Sequence, residues 1–287
     1  MTTLVVRLSS LGDIVLAGSV TGALGDVTFV THPRYRSLAA LLPGVTEAIG
    51  FGEDPLPAQA DRIIDLHASW RSRQICRRVR GPVRRVRRHD LRRRARVWLK
   101  SGAPPPPVVA RYAEAAGVTP RSTPWLEWSA GDALLLCPTA AHATKQWPLE
   151  RYTALGRRWG GPVVVLGGPA DTRAVRTVSD GIGSRAEAIA ETGFRRTLEA
   201  VAGARAAVGG DTGLMHLCHT AGMPAVVLFG PTTRHDGFWP GATAASVPLA
   251  CRPCSRHGGA ACPIGDHRCM QALDVETVWS RLQEVLA

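Results

Sequence analysis

Short apolar runs of strand type alternate with helical stretches along most of this chain. A strand followed by a helix and then by another strand favours a parallel sheet with helices on both faces, because parallel strands need crossover connections. The pattern therefore predicts an α/β fold. Its predicted strands lie at residues 3–8, 27–32 and 62–67 in a first series, and at 133–138, 162–168, 204–210 and 224–230 in a second.

The two series are separated by proline-rich sequence, with Pro104–Pro107 followed by a Pro- and Trp-containing stretch from Pro120 to Trp128. A chain of 287 residues is long enough for two ordinary α/β domains. We therefore predict doubly wound domains at residues 1–125 and 126–287. The second would carry a cysteine cluster at 251–269 and a closing helix at 275–286.

The formal net charge of +12 is concentrated in one segment. Residues 71–100 hold 14 Lys and Arg against one acidic residue, Asp90, whereas the rest of the chain is nearly balanced. Such a segment indicates a polyanionic partner, namely phosphates, nucleic acid or an anionic membrane face, or else a solvated arginine-rich face. No apolar stretch approaches the roughly 20 residues that span a bilayer, and the N-terminus lacks a signal-peptide pattern, so we expect a cytoplasmic protein.

The strongest local motif is GGDTGLMHL at residues 209–217, which follows an apolar strand and opens a helix. Backbone N–H groups at such a helix start, with the Thr212 hydroxyl, make an anion site that suits a diphosphate. The alternative is structural: Asp211 and Thr212 cap the helix and His216 packs on its face.

Two further loops carry charged residues where strands end. SSLGD at residues 9–13 follows the first strand, where open α/β sheets bind ligands, and Asp13 could take a proton from an attacking hydroxyl while Gly12 gives a substrate room. The alternative for Asp13 is a helix cap. TKQWP at residues 144–148 places Lys145 where it could neutralise a departing phosphate, although a lone loop lysine is usually just solvated.

Taken together and in order, these motifs resemble glycosyltransferase family 9, the bacterial ADP-heptose:lipopolysaccharide heptosyltransferases. The resemblance covers nearly the whole chain. It is carried by SSLGDIVLAGSV, DLHASWRSR, ARYAEAAGV, TKQWPLERYTAL, VVVLGGPADTR, GGDTGLMHL and VVLFGPT.

The resemblance implies a GT-B fold, in which two Rossmann-like domains face a central cleft. The N-terminal domain would bind the acceptor and the C-terminal domain the nucleotide sugar. The implied reaction is an inverting transfer of a heptose or related sugar from an ADP-sugar to a lipopolysaccharide core or similar anionic glycolipid. It needs no cofactor and no catalytic metal, and the enzyme would touch the inner membrane peripherally without binding nucleic acid.

The resemblance also assigns residues. Asp13 would be the general base and Lys145 the catalytic contact to the donor phosphate. The implied donor-binding residues are Thr139, Thr144, Lys145, Gly168, Asp211, Thr212, Gly213, Leu214 and His216, and the implied acceptor-binding residues are Ser10, Gly12, Arg71, Arg73 and Arg111. One departure is that Ala140 and Ala141 stand where the family has hydroxyl residues, for which Thr139 or Thr144 would substitute.

The cysteine cluster consists of Cys251, Cys254, Cys262 and Cys269. Its first pair has metal-ligand spacing, but the second pair is spaced too widely for a standard zinc ribbon. A structural zinc site and a set of free thiols remain open, whereas a reducing cytoplasm disfavours disulfides.

Two other classes of protein remain as alternatives. A nucleic-acid-binding protein would use residues 71–100, but Trp98 is the only aromatic residue there, so base-stacking platforms are sparse. A nicotinamide-dependent oxidoreductase would need a GxGxxG turn after the first strand, which this chain lacks.

Overall fold

A computed structural model describes residues 1–100, 103–120, 126–190, 193–234 and 243–287. The chain folds into two compact units. The first unit contains Met1–His89 and the segment that begins at Pro106, and the second contains Asp90–Pro105 and the chain from Leu126 to Ala287. Within the described residues, no helix is long and apolar enough to cross a bilayer.

The first unit is a parallel sheet of five strands in the order β3-β2-β1-β4-β5. The strands are β1 (Thr3–Val6), β2 (Val27–Thr31), β3 (Val45–Gly50), β4 (Arg62–Asp65) and β5 (Val83–Arg85). The helices up to residue 116 are α1 (Leu11–Leu24), α2 (Arg36–Ala39), α3 (Trp70–Arg78), α4 (Asp90–Leu99) and α5 (Val108–Ala116), of which α4 belongs to the second unit.

Helix α1 is apolar on all sides because it is covered on all sides. Nine of its residues, from Gly12 to Thr21, are buried, and it packs against α5. A helix that is hydrophobic all round is stable only in such an enclosed place. It ends at Gly25, whose φ of 57° suits glycine.

The second unit is a parallel sheet of six strands in the order β11-β10-β9-β6-β7-β8. These are β6 (Ala133–Cys137), β7 (Val163–Leu166), β8 (Ala186–Ile189), β9 (Ala204–Gly210), β10 (Ala225–Leu228) and β11 (Thr243–Ala245). The helices are α6 (Leu149–Trp159), α7 (Thr172–Ile182), α8 (Gly193–Ala202), α9 (Gly213–Thr220), α10 (Arg268–Gln271) and α11 (Val275–Leu286).

The predicted α/β fold with two Rossmann-like sheets is confirmed. In each sheet the strand order reverses at one point, between β1 and β4 in the first unit and between β6 and β9 in the second. Doubly wound sheets bind ligands at the carboxyl ends of the strands beside such a reversal. The loops that follow these four strands are therefore where a site is expected.

Trp147 anchors the loop that follows β6. Its side chain is only 1% exposed, its indole N–H donates to the Leu273 carbonyl oxygen at 2.7 Å, and its ring meets that of Tyr152 edge-on at 4.9 Å. The contacts connect the loop containing Lys145 to the segment before α11. The position of Lys145 therefore depends on the core of the second unit.

We expect Trp147→Ala to lower the free energy of unfolding by about 3–5 kcal/mol, because it empties a large buried volume. Urea denaturation followed by circular dichroism measures this. Trp98→Ala is the matched control, since Trp98 is 84% exposed and its loss should change stability by no more than about 0.5 kcal/mol. Equal losses in the two variants would show that Trp147 does not anchor this loop.

Candidate functional site

In the first unit, the loop between β1 and α1 is closed by a hydrogen-bonded turn around Asp13. Ser10 precedes α1 as its N-cap, and Asp13 is the third residue of the helix. The backbone N–H and the hydroxyl of Ser10 donate to Asp13 Oδ2 at 3.2 and 2.8 Å. The geometry thus includes the capping role that was the structural alternative for Asp13, while Gly12 is buried in the first turn.

Asp13 also has two partners that the sequence did not point to. The Arg7 guanidinium lies 2.5 Å from Asp13 Oδ2 and donates to the Leu66 carbonyl oxygen at 2.6 Å. The buried Tyr112 hydroxyl donates to Asp13 Oδ1 at 3.3 Å. Two sequence features could have pointed to these partners. Arg7 is the one charged residue in an apolar strand, and Tyr112 lies in the ARYAEAAGV motif.

These partners set the charge state of Asp13. Burial by itself raises the pKa of the Asp13 carboxyl, but the Arg7 charge and the hydrogen bonds from Ser10 outweigh it, so the pKa lies well below its ordinary value. Asp13 is therefore an ionised carboxylate throughout the neutral range, and its side chain is 28% exposed. It can accept hydrogen bonds from a substrate, although its basicity is low.

His32 and His67 end the predicted strands at residues 27–32 and 62–67, so they are the other candidates for the base. Burial, and next the Arg7 charge, lower the pKa of His67 to about 4, so its ring is neutral at pH 7. His67 Nδ1 is buried and has no hydrogen-bond partner within the described part of the chain. His32 Nδ1 accepts from the Arg34 N–H at 3.3 Å and caps a short helical turn. His67 is thus the stronger rival.

The predicted acceptor arginines lie in two places in the first unit. Arg71 and Arg73 are exposed on the first turn of α3, whose start is fixed by Asp65, which accepts from the Ala68 N–H at 2.8 Å and the Ser72 hydroxyl at 3.1 Å. Arg111 is buried and donates to the Pro106 and Arg87 carbonyl oxygens.

Arg111 also lines a pocket of about 310 Å³. The other lining residues are Arg84, Arg85, Arg87, Glu114 and Ala115. Arg85 in turn lies 3.3 Å from the fully buried Asp65, which connects the pocket to the carboxyl end of β4. Four arginines around one pocket make it suitable for an anionic group.

In the second unit, Lys145 and Asp211 form an ion pair between the loops that follow β6 and β9. Lys145 Nζ is 2.6 Å from Asp211 Oδ2 and also donates to the Asp211 carbonyl oxygen at 3.1 Å. The Thr232 hydroxyl donates to the same carboxylate oxygen at 2.8 Å. The loops approach closely enough that a Cβ on Gly210 would lie 2.9 Å from the Lys145 carbonyl oxygen.

The charge of this cluster is set by the ion pair. Burial raises the pKa of Asp211, but the Lys145 ammonium and the hydrogen bonds to the carboxylate outweigh it and leave the pKa below its ordinary value. Both side chains are nearly buried, 13% and 16% exposed. Because Lys145 balances the Asp211 charge, the carboxylate does not repel an anion at the start of α9.

The start of α9 carries an unused hydroxyl. Thr212 is the N-cap residue, yet its Oγ1 is buried without a hydrogen-bond partner in the described ranges. The first N–H groups of a helix also lack partners inside the helix. Buried donors of this kind are costly unless a ligand or water satisfies them. Thr212, Gly213 and Leu214 therefore form a cradle suited to a phosphate.

Two of the other predicted donor residues, Thr144 and Gly168, are hydrogen-bonded to the protein itself. The Thr144 hydroxyl donates to the Gly259 carbonyl oxygen at 3.0 Å and accepts from the Gly259 N–H at 2.8 Å, so it holds a loop rather than facing open space. The Gly168 N–H donates to Asp171 at 2.9 Å. Thr139 is buried just beyond β6, and His216 lies within α9 close enough to Asp211 to lower its pKa.

The zinc alternative for the cysteine cluster is not supported. Cys251, Cys254, Cys262 and Cys269 are free thiols, and no group of three or more His, Cys, Asp or Glu among the described residues is arranged to hold a metal ion. Arg252 holds the segment instead. Its guanidinium donates to the carbonyl oxygens of Gly230, Val247 and Thr232 at 2.6, 2.6 and 3.0 Å.

Comparison with known proteins identifies the segment that contains the cluster of Lys145, Asp211 and Thr212. Residues 121–261 match the family model described as glycosyltransferase family 9 (heptosyltransferase). This segment belongs to glycosyltransferase family 9. The resemblance carried by the motifs is thereby confirmed, and the family 9 segment contains Lys145, Asp211, Thr212 and Thr232. No curated protein matches the chain.

Solved structures show the same fold over the whole chain. The Escherichia coli heptosyltransferase WaaC with ADP is 17% identical, with a TM-score of 0.71 over 99% of this chain and 97% of that one. E. coli ADP-heptose lps heptosyltransferase II is 19% identical, with a TM-score of 0.72 over 100% and 98%. WaaC with ADP-2-deoxy-2-fluoro heptose is 16% identical, with a TM-score of 0.68 over 99% of each chain.

We expect Lys145→Met to lower the free energy of unfolding by about 3–5 kcal/mol at pH 7, because Asp211 is left buried without its counter-charge. Burial then raises the pKa of Asp211, so protonation relieves the cost. In the unmodified protein the pair stabilises above the ordinary carboxyl range and loses this contribution as the pH falls. The deficit of the variant should therefore shrink as the pH is lowered, as measured by urea titrations at several pH values.

The matched control is the double variant Lys145→Met with Asp211→Asn, which has no buried charge at this place. Its stability should fall less at pH 7, and its deficit should shrink only at the more acidic pH where the unmodified protein itself loses the contribution of the pair. A deficit of Lys145→Met that stays constant with pH would contradict the ion pair as its cause.

Proposed function

We propose that this chain is an inverting glycosyltransferase that moves a heptose or related sugar from an ADP-sugar to a lipopolysaccharide core or similar anionic glycolipid. The observation that carries the proposal is the cluster in the family 9 segment. Lys145 is paired with Asp211 beside a helix start whose Thr212 hydroxyl is buried and unused. This arrangement offers a diphosphate hydrogen-bond donors and the positive end of a helix, and Lys145 keeps the Asp211 carboxylate from repelling it.

The donor would be bound by the second unit. When the sugar leaves a nucleoside diphosphate, negative charge grows on the phosphate oxygen, and a nearby ammonium and helix N-terminus stabilise it. Lys145 and the start of α9 supply both from this chain's own groups, so we propose that no metal or other cofactor is needed. Solved structures of similar fold were determined with ADP and with ADP-2-deoxy-2-fluoro heptose, which supports an ADP-sugar as donor.

The acceptor hydroxyl would be deprotonated by Asp13 in the first unit. Its oxygen forms a bond to the anomeric carbon from the face opposite the diphosphate, the bond to the diphosphate oxygen breaks, and the proton passes to the carboxylate. Glycosyl transfer has an oxocarbenium-like transition state, so the hydroxyl becomes strongly acidic as its bond to carbon forms. A carboxylate of low basicity, as Arg7 makes Asp13, is then sufficient to take the proton late.

The acceptor would be held by its negative charges. Arg71 and Arg73 are exposed on α3, and Arg111 lines the pocket with three other arginines. A glycolipid acceptor is embedded in a membrane, so we also propose a peripheral contact of the basic segment with the cytoplasmic face of the inner membrane. We assign the acceptor to residues 1–125 and the donor to residues 126–287.

Nothing in the described residues favours either alternative, a nucleic-acid-binding protein or a nicotinamide-dependent oxidoreductase. The basic segment at residues 71–100 has Trp98 as its single aromatic residue, so it offers few base-stacking platforms to a nucleic acid. The loop after β1, where an oxidoreductase of this fold would bind its cofactor, is closed by the Ser10 and Arg7 contacts to Asp13.

Binding of ADP tests the donor site. At 100 times its dissociation constant a ligand adds roughly 2.7 kcal/mol of stability, so ADP should raise the melting temperature by several degrees. Thr212→Val keeps the side-chain shape and removes the unused hydroxyl, so it should leave the ligand-free protein at least as stable while reducing the shift with ADP. No shift with ADP, beside a shift with NAD or nucleic acid, would refute the proposal.

Asp13→Asn tests the base. It should lower kcat by at least about 10²-fold while leaving ADP affinity unchanged, because loss of a general base typically costs roughly 10²- to 10⁴-fold. The variant also leaves Arg7 without its counter-charge, so its stability must be measured in parallel. A kcat close to that of the unmodified protein would show that Asp13 only caps α1, and His67 and His32 would then be the candidates for the base.

Arg7→Met is the matched control, since it breaks the same ion pair but keeps the carboxylate. It should retain much more activity than Asp13→Asn near pH 7. Without Arg7 the pKa of Asp13 rises, so the pH at which activity falls in acid should move upward. Equal losses of kcat in the two variants would show that the pair is only structural.

A further inference from the structure

Helix α4 presents large apolar side chains to solvent. Leu91, Trp98 and Leu99 are 82%, 84% and 70% exposed, and none of the ten residues of α4 is buried. Single exposed apolar residues are ordinary on protein surfaces, whereas several on one short helix mark an interaction surface. We therefore expect a partner or a surface to cover these side chains.

The exposed apolar residues share one face of α4. Positions 91, 95, 98 and 99 follow helical spacing, and Ala95 is exposed as well. The opposite face is attached to the second unit through the segment around Cys254. There Asp90 lies 3.6 Å from Arg256, Arg93 donates to the Arg256 carbonyl oxygen at 3.4 Å, and Lys100 donates to the Pro253 carbonyl oxygen at 2.5 Å. Helix α4 is thus attached to the second unit by its polar face, and its apolar stripe faces the solvent.

Positive charge flanks this stripe on both sides. By helical spacing Arg94 lies along one edge, and Arg92 and Arg96 lie along the other. Arg92 and Arg94 are exposed and Arg96 is partly exposed. A helix with an apolar stripe between arginines suits the boundary between the headgroups and acyl chains of an anionic bilayer, where tryptophan is also favoured.

We propose that α4 lies in the plane of an anionic lipid surface, with Leu91, Trp98 and Leu99 inserted between the headgroups and Arg92, Arg94 and Arg96 on lipid phosphates. This inference deepens the membrane contact included in the proposed function and assigns it to one helix. Its test needs no sugar transfer, so it can fail or succeed separately from the proposed reaction.

The charges favour a lipid surface over other occupants. A second copy of the chain packed stripe to stripe would bring the arginines of two helices together, and like charges at close range repel. Nucleic acid would satisfy the arginines, but the two leucines would gain nothing from a phosphodiester backbone. An anionic bilayer satisfies both the apolar stripe and the arginines.

Co-sedimentation with vesicles tests the assignment. One set of vesicles is pure phosphatidylcholine and the other is equal parts phosphatidylcholine and phosphatidylglycerol. The full chain should bind the anionic vesicles, and binding should weaken as salt is raised. The triple variants Leu91→Ser/Trp98→Ser/Leu99→Ser and Arg92→Gln/Arg94→Gln/Arg96→Gln should each lose at least about tenfold in affinity.

The matched control removes three exposed arginines elsewhere in the second unit: Arg173→Gln/Arg176→Gln/Arg205→Gln. It has the same net charge as the arginine variant of α4 and should bind nearly as well as the unmodified protein. Quenching of tryptophan fluorescence by lipids brominated in their acyl chains reports insertion, and Trp98→Phe should remove most of that quenching while leaving affinity almost unchanged.

Several results would overturn the proposal. These are equal binding to both vesicle types, equal loss in the control variant, full binding by the serine variant, and no change of quenching in Trp98→Phe. Preferential binding to nucleic acid, or a dimer that the serine variant dissolves, would assign the stripe to another occupant. Both α4 variants should keep the shift with ADP, and absence of that shift in the unmodified protein would refute the reaction but not the membrane helix.

Discussion

Each unit of this protein holds a largely buried ion pair at the place where its strand order reverses, Arg7 with Asp13 in the first and Lys145 with Asp211 in the second. A buried pair is stable only if its remaining hydrogen-bonding capacity is also satisfied. Asp211 therefore requires Thr232 as well as Lys145, and Asp13 requires Ser10 and Tyr112 as well as Arg7. Meeting these requirements fixes loops that are far apart in sequence, so the charges are in position before any ligand binds.

The central parts of both sheets could be predicted from the sequence, but their edges could not. Central parallel strands are buried on both faces, so they appear as continuous apolar runs such as LLLC before Pro138. Strands β3 (VTEAIG), β5 (VRR), β8 (AEAI) and β11 (TAA) lie away from the centre, and most carry charged or small residues. Their pairing comes from neighbours in space, which a local pattern does not contain.

The same limit applies to the site. The motifs located the loops that follow β1, β6 and β9, because glycine and charged residues directly after an apolar run are a local signal. They did not reveal that Arg7 and Tyr112 share Asp13, or that Thr232 shares Asp211, because Tyr112 is 99 residues from Asp13 and Thr232 is 21 from Asp211. The cysteine spacing left a zinc site and free thiols open, and it did not reveal that the Arg252 guanidinium holds the segment through carbonyl oxygens 22 and 20 residues away in sequence.

The basic segment shows most clearly how neighbours decide what a residue type does. Its arginines are alike in sequence, yet Arg85 is paired with a fully buried carboxylate, while Arg92 and Arg94 are exposed on α4. The pairing of Arg85 with Asp65 helps to fix the shape of the first unit. The exposed ones keep their full charge for a partner. The partner of α4 is therefore inferred from its exposed arginines together with their surroundings, which are apolar.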